Sequence, residues 1–286
     1  MKSNVNSPRN RIYIIGRALL LCTALLLPNV SAGEVNAARP ISSNDADTLL
    51  APDGDLLVSN INDSGPGSLR AALDNAVPGD RIIFDEFVFP PETPRTISIL
   101  SAVLHIWDND LTIDAVGRGV VLNGSSAPLD VDTGLILHAD NTTIQGLQVL
   151  GFHHDGIVLN GATNALIGGD RLAGEGNVVS GNGWRGIRLE GSTTSNNVIA
   201  GNILGADPSG MEAMPNGEVG ILVLSGAHHN NIGGLLPGYV NLISGNGGSG
   251  IVVMGNGTDY NVIQGNLIGT DPVSYTHLTL PTTPYV

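Results

Sequence analysis

A chain of 286 residues with 39 glycines, 4% aromatic residues and 13% charged residues departs from ordinary globular composition. Its 42% apolar content excludes a disordered polymer, and its formal charge of −14 excludes nucleic acid as a partner, because phosphate recognition needs basic patches. Scarce aromatics with abundant Gly and Asn predict many short elements joined by tight turns rather than long helices.

Residues 1–32 have the form of a secretory signal peptide. Lys2, Arg9, Arg11 and Arg17 make a positive head, Ala18 to Leu27 is an apolar run, and Val30-Ser31-Ala32 offers small residues at a cleavage point. That run is well short of the roughly 20 residues of a membrane span. The mature chain is therefore expected to lack a membrane span and to be secreted or held at the cell surface. Removing the segment takes away four cations and no anions, which carries the net charge from −14 to −18 and leaves neither Lys nor Cys. Stability without disulfides and chemistry without a lysine base are then required.

Residues 33–54 carry little pattern and are expected to be a lead-in segment. Residues 55–140 are expected to form an N-terminal cap and the first irregular coils. From Ser68 to Ala76, Leu69, Ala72, Leu73 and Ala76 fall at i, i+3, i+4 and i+7, with Ser68 placed to cap, so an amphipathic helix is predicted over the open end of the fold. Arg81 to Phe84, Leu111 to Asp114 and Val120 to Asn123 are strand-like.

Residues 141–272 repeat. At an offset of 64, Asn177-Val-Val-Ser-Gly-Asn182 aligns with Asn241-Leu-Ile-Ser-Gly-Asn246, and Asn197-Val-Ile-Ala-Gly-Asn202 with Asn261-Val-Ile-Gln-Gly-Asn266. Each period divides into two coils of three short strand signals. The first starts at Asn141, Asn164, Asn197, Asn230 and Asn261, the second at Leu147, Asn177, Asn202, Asn241 and Asn266, and the third at Gly156, Gly186, Gly220 and Gly250. Strands this short need partners from successive coils at about 4.8 Å, which predicts an all-β, single-stranded parallel β-helix. The handedness rule for parallel crossovers makes it right-handed. Alternation turns Ile157, Leu159, Ile187, Leu189, Ile221, Val223, Ile251 and Val253 inward, and Asn at the corners is expected to adopt left-handed backbone angles and bond to its counterpart one coil away. Insertions at 170–176 and 235–240 lengthen the first turn, and one at 206–219 lengthens the second; an outward apolar stripe of Val158, Leu222, Leu224, Val252 and Met254 is expected to be covered by that loop or else to be an interaction surface. After Gly269-Thr-Asp-Pro272 the register stops, and 273–286 is expected to be a non-native tail.

The run Ser59 to Leu73, with Ser-Gly-Pro-Gly-Ser-Leu-Arg-Ala-Ala-Leu at its end, followed by Gly79-Asp-Arg-Ile-Ile-Phe84, resembles the N-terminal segment of secreted bacterial right-handed parallel β-helix repeat proteins. The repeats at Asn177 to Asn182 and Asn261 to Pro272 resemble the same group, so the likeness spans 59–272. The resemblance implies the pectate lyase-like superfamily, whose better-known members bind, cleave or epimerise polysaccharides and whose other members are extracellular surface proteins. A lyase or epimerase of that group typically shows a Lys or Arg base with calcium-binding acids.

Aligning coils ahead of the third strand sets Phe152-His153-His154-Asp155 against Asn182-Gly183-Trp184-Arg185, placing Asp155 beside Arg185 and His154 beside Trp184, with Arg188 and Glu190 outward on the next strand. An indole stacks on a sugar ring, His or Asp acts as a base, and Arg holds a carboxylate. His153, His154, Asp155, Trp184, Arg185, Arg188 and Glu190 are the candidate substrate-binding residues, and Asp155, Arg185 and His154 the candidate catalytic ones. A hydrolase would need a carboxylate pair, which only Asp155 with Glu190 or Glu218 supplies. Adjacent histidines at His228-His229 lack an assignable third ligand. No cofactor is called for, calcium being the ion that Asp108, Asp110 and Asp114 would suit. Two readings stand: a non-catalytic, adhesin-like surface module that contacts polysaccharide or a cell-surface component, and a polysaccharide lyase or glycoside hydrolase.

Overall fold

The structure is a computed structural model that describes residues 49–50 and 54–269. The signal peptide expected over 1–32, most of the lead-in and the tail expected over 273–286 lie outside the described residues. Within them the chain is an all-β parallel solenoid, a parallel β-helix.

Three sheets run along it. The first comprises β1 (Leu49–Leu50), β2 (Leu56–Val58), β3 (Arg81–Phe84), β6 (Thr112–Asp114), β9 (Thr143–Gln145), β12 (Leu166–Gly168), β15 (Val198–Ala200), β18 (Asn231–Ile232) and β21 (Val262–Ile263). The second comprises β4 (Arg95–Ser98), β7 (Val120–Asn123), β10 (Leu147–Leu150), β13 (Val178–Ser180), β16 (Ile203–Leu204), β19 (Leu242–Ile243) and β22 (Leu267–Ile268). The third comprises β5 (Leu104–Ile106), β8 (Leu135–Leu137), β11 (Asp155–Asn160), β14 (Arg185–Glu190), β17 (Val219–Leu224) and β20 (Ile251–Met254). Neighbouring strands in all three sheets pair in parallel except β1, which lies antiparallel on β2 and covers that edge.

Strands of two to six residues hold because like residues stack. In the first sheet Leu56, Ile82, Ile113, Ile144, Ile167, Ile199, Ile232 and Ile263 stand in one register column. In the third, Leu104, Leu135, Ile157, Ile187, Ile221 and Ile251 form a second column. Burying each such side chain stabilises the fold by about 1.5–3 kcal/mol relative to exposure. The inward assignments from Ile157 to Val223 agree with full burial, whereas Val253 on the last third-sheet strand remains 41% exposed.

Buried asparagines bind the coils at three corners. One ladder runs Asn177, Asn202, Asn241, Asn266, a second Asn182, Asn216, Asn246, and a third Asn197, Asn230, Asn261. Each amide donates to a backbone carbonyl of the coil before, and each except the last of its ladder donates also to the Oδ1 of the Asn one coil on, as Asn202 does to the Ile167 carbonyl and to Asn241. The left-handed corner is a separate column of mostly exposed residues: Asp110, Asn141, Asn164, Asn196, His229 and Tyr260, with φ of 53–60°. The sequence signals merged the two, since Asn141 and Asn164 belong to the left-handed column while Thr142 and Ala165 hold the ladder position in their coils.

The helix α1 (Leu69–Asn75) forms as its periodicity requires. The Ser68 hydroxyl accepts from the Ala71 amide at 3.1 Å, Leu69, Ala72 and Leu73 are buried against the core, and Pro78 follows the helix end. α1 packs against β2 and β5. Arg70 fastens it, donating to Asp63 Oδ1 at 2.8 Å and to the Ala102 carbonyl at 2.7 Å, while the Ser101 amide donates to Asp63 Oδ2 at 2.8 Å. Burial alone would raise the Asp63 carboxyl, but hydrogen bonds from Ser101 and Arg70 outweigh it and hold Asp63 below its ordinary value. A depressed carboxyl contributes stability above its unfolded value, near pH 4, and loses it as pH falls through the folded value. Protection of the α1 amides, corrected for the intrinsic exchange rate at each pH, is therefore expected to fall on acidification below about pH 4, and the Asp63→Asn protein should lack that acid step. An unchanged acid profile in the variant would contradict the assignment.

The first-turn insertions each contain a short 3-10 turn, Arg171–Ala173 and Pro237–Tyr239, and Gly238 packs on the Asp170 carboxylate. The second-turn insertion is tied to second-sheet corners, with Gly181 N donating to Met214 O and Met214 N to Gly205 O. It therefore lies by the second sheet rather than over the third-sheet stripe. There Val158 and Leu222 are buried and Met254 is exposed. No helix among the described residues is long and apolar enough to cross a membrane.

Candidate functional site

Parallel pairing of β11 with β14 sets Asp155 opposite Arg185, and the following register sets Val158 opposite Arg188 and Asn160 opposite Glu190. Asp155 is only 1% exposed. Its Oδ2 accepts from Arg188 Nε at 2.8 Å, and its Oδ1 lies 3.5 Å from Arg185 Nη1. Arg188 also pairs with Glu190, and Arg185 Nη2 lies 3.3 Å from Glu218 Oε2. The Nε of Arg185 is buried without a partner, so that guanidinium is held through its Nη atoms.

Beside this network, His154 stacks on Trp184 with ring centroids 3.9 Å apart and planes 19° off parallel. The Arg185 guanidinium lies 5.0 Å from the Trp184 ring centroid. Trp184 keeps 42% of its surface open to solvent. His154 Nδ1 donates to Asp132 Oδ2 at 2.7 Å, whereas His153 Nε2 donates to the Ala127 carbonyl at 3.0 Å, so the two adjacent imidazoles serve different elements.

The structure thus brings His154, Asp155, Trp184, Arg185, Arg188 and Glu190 together and directs the His153 ring to Ala127. Both guanidiniums are engaged by carboxylates of the chain itself. Asp132, Asp155, Glu190 and Glu218 outnumber Arg185 and Arg188, so the patch offers no net positive charge to an acidic polymer. Asp155 and Glu190 share Arg188, which leaves neither as a free catalytic carboxylate. Asp132 was not anticipated, and the signal for it is its place three residues before β8, in the same turn as His154 one coil on.

Asp108, Asp110 and Asp114, the three acids considered for calcium, are not gathered into one donor group among the described residues. Asp114 pairs with Arg81 at 2.8 Å and accepts the Val116 amide, and Asp110 accepts from Asn141. Among the described residues no group of three His, Cys, Asp or Glu side chains converges on one point.

A second polar cluster went unread in the sequence. His105 on β5 and His138, just past β8, approach with Nδ1 of the first 3.2 Å from Nε2 of the second. Trp107, 65% exposed, lies parallel to His138 at 3.9 Å and 8°. Burial, with His105 close by, holds the His138 imidazole below its ordinary value. Alternation in Leu104-His105-Ile106-Trp107 and Leu135-Ile136-Leu137-His138 carries the signal, but these coils fall outside the 64-residue repeat.

No curated protein matches the chain. Among solved structures it is similar to the pectate lyase Pel9A, at 13% identity over 72% of this chain and 58% of that one with a TM-score of 0.40. It is also similar to the periplasmic alginate epimerase AlgG, at 16% identity over 73% and 54% with a TM-score of 0.37. A third is an alginate lyase from Paenibacillus sp. str. FPU-7, at 17% identity over 73% and 75% with a TM-score of 0.36. The chain spans little more than half of the first two, and similarity at this level speaks to no activity. A family profile described as "Periplasmic copper-binding protein (NosD)" matches residues 74–278, nearly the whole run of coils. By that match over most of its length, the chain belongs to the NosD family of β-helix proteins.

Proposed function

We propose that the protein is a non-catalytic, extracytoplasmic β-helix module that binds neutral or weakly charged polysaccharide on the outer face of its third sheet. The observation that carries this reading is the half-open Trp184 ring, backed by His154 and flanked by an arginine–carboxylate network whose charges are spent internally. A flat indole held rigid against an imidazole is a platform for the apolar face of a sugar, and the surrounding carboxylates accept hydroxyl hydrogens. The family's periplasmic description and the expected signal peptide both support a place outside the cytoplasm.

On a panel of neutral and acidic polysaccharides, binding is expected for neutral chains, with Trp184→Ala lowering affinity about tenfold, equivalent to about 1.4 kcal/mol. Equal binding by the variant would remove the platform from the argument. The enzyme reading has one observation of its own, the Asp132–His154 pair, in which the carboxylate fixes the Nδ1 proton and leaves Nε2 a base. Shortening of any polysaccharide by the wild-type chain, abolished in His154→Ala, would establish that reading instead.

The family description also names copper. Among the described residues, with no cysteine and no three-residue donor group, the donors that suit such an ion are the paired imidazoles of His105 and His138. In hydrogen-bond contact with each other, and with no third such donor gathered to them, they do not fit a metal site.

A further inference from the structure

We infer, on the reading of Trp184 as a sugar platform, that Trp107 heads a second and separate sugar site, so that one protein molecule holds two chains of a neutral polysaccharide and cross-links them. Both tryptophans of the chain are built into the same device. Each is exposed, and each lies parallel to a histidine of the adjacent coil with ring centroids 3.9 Å apart, Trp184 on His154 and Trp107 on His138. An imidazole behind the indole fixes its orientation and leaves one broad apolar face for a ligand, so little freedom is lost on binding.

The two open faces look in opposite directions along the solenoid. His154 stands just before β11, the third-sheet strand preceding β14, so Trp184 is covered from the coil before it. His138 stands just after β8, the third-sheet strand following β5, so Trp107 is covered from the coil after it. The free face of Trp184 therefore turns toward Glu218, which precedes Val219 as Trp184 precedes Arg185, and that of Trp107 turns toward α1. There a groove of about 470 Å³ runs between the helix and β5, with Leu73 and Asp74 on one wall and His105, Trp107 and Asp108 on the other. Asp74 and Asp108 supply acceptors for sugar hydroxyls, as Glu218 does at the other platform. Arg70, the one guanidinium lining the groove, is held by Asp63 and the Ala102 carbonyl, so this site too favours a neutral chain over an acidic one.

Register sets the separation. His105, Ile136, Val158 and Arg188 form one outward row, with Trp107 two residues past it on one strand and Trp184 four residues before it on another. Three strand spacings of about 4.8 Å and six residues of about 3.3 Å put the rings about 24 Å apart. With their open faces turned away from each other, one sugar cannot touch both, and two polymer chains fit without collision. Two such sites on a rigid scaffold turn two modest affinities into a stable junction.

Affinity electrophoresis through gels holding hydroxyethylcellulose, arabinoxylan, galactomannan or laminarin identifies a retained polymer, and a trisaccharide cut from that polymer is then titrated calorimetrically. The wild-type chain is expected to take up two trisaccharides, and Trp107→Ala and Trp184→Ala one each. Light scattering from the polymer should rise with added wild-type protein to a maximum and fall again in excess, as a bivalent cross-linker requires. Each single variant should abolish the rise while remaining retarded in the gel. Asp74→Asn, an exposed change on α1, should weaken the trisaccharide at the Trp107 site at least threefold, whereas Phe87→Ala, which removes a more exposed ring on the turn between β3 and β4, should change nothing. Circular dichroism establishes that each variant is folded. Retardation of the wild-type chain by none of the polymers, or by one of them in the absence of both indoles, would overturn the Trp184 reading and the second site together. Retardation that depends on Trp184, with one trisaccharide per wild-type chain or with cross-linking intact in Trp107→Ala, would overturn the second site alone.

Discussion

The Asn202→Ala protein is expected to lose about 3–5 kcal/mol of stability, the largest effect of any single truncation at a corner. The buried Asn202 amide donates to the Ile167 carbonyl at 2.8 Å, the Ala200 carbonyl at 3.0 Å and Asn241 Oδ1 at 3.1 Å. Its Oδ1 accepts both the backbone and the side-chain N–H of Asn177, each at 3.1 Å. Truncation leaves these groups buried and short of partners, and each orphan costs about 1–3 kcal/mol because water cannot reach it. The losses overlap within one network, which keeps the total below their sum. Asn202→Asp should be at least as harmful, since a carboxylate cannot donate to Ile167. By contrast Asn164→Ala, at an exposed left-handed corner with φ of 55°, should cost about 1–2 kcal/mol from backbone strain. Urea denaturation followed by circular dichroism decides this, and a loss under about 1 kcal/mol for Asn202→Ala would show that the ladder is ornamental.

Gly217→Ala should cost about 3 kcal/mol through backbone collision alone. A Cβ at Gly217 would stand 2.0 Å from the Gly183 carbonyl oxygen and 2.9 Å from its carbon. The same contact recurs one coil earlier and one later, where Gly183 meets the His153 carbonyl and Gly247 meets that of Gly217. A flexible side chain would yield, but here the obstacle is the backbone of the neighbouring coil, itself tied into the sheet, so relief requires separating coils. Gly65→Ala is the matched control. It sits at φ of 88° with nothing within 4 Å, so its penalty should be confined to about 1–2 kcal/mol of backbone strain. Thermal unfolding of both proteins tests the contrast, and equal shifts would remove coil-to-coil contact as the cause.

Much of the architecture was legible because a solenoid repeats its physics. Gly-Ile runs at 156, 186, 220 and 250 each carry the period-2 alternation, and their spacing alone set Ile157 over Ile187 and Asp155 over Arg185. The first coils were read less completely. β4, β5 and β8 are three or four residues long, follow no fixed period and were not singled out, so the His105–Trp107–His138 stack went unseen. Leu49–Leu50 was assigned to a patternless lead-in, yet two residues suffice for a strand when an edge awaits pairing.

The sequence by itself determined the solenoid, most of its inward columns and the meeting of His154 with Trp184, because each follows from local pattern multiplied by a repeat, and it determined the capping helix from its own i, i+3, i+4 pattern. Only the tertiary structure decided what the polar groups do with one another. It showed that Asp155 is buried and held by Arg188 at 2.8 Å, that Arg185 is claimed by Glu218, and that Asp132 is the partner of His154. Which rotamer a long side chain takes, and which of several nearby charges it satisfies, depends on neighbours three or four coils' worth of geometry fix together, and register alone leaves that choice open.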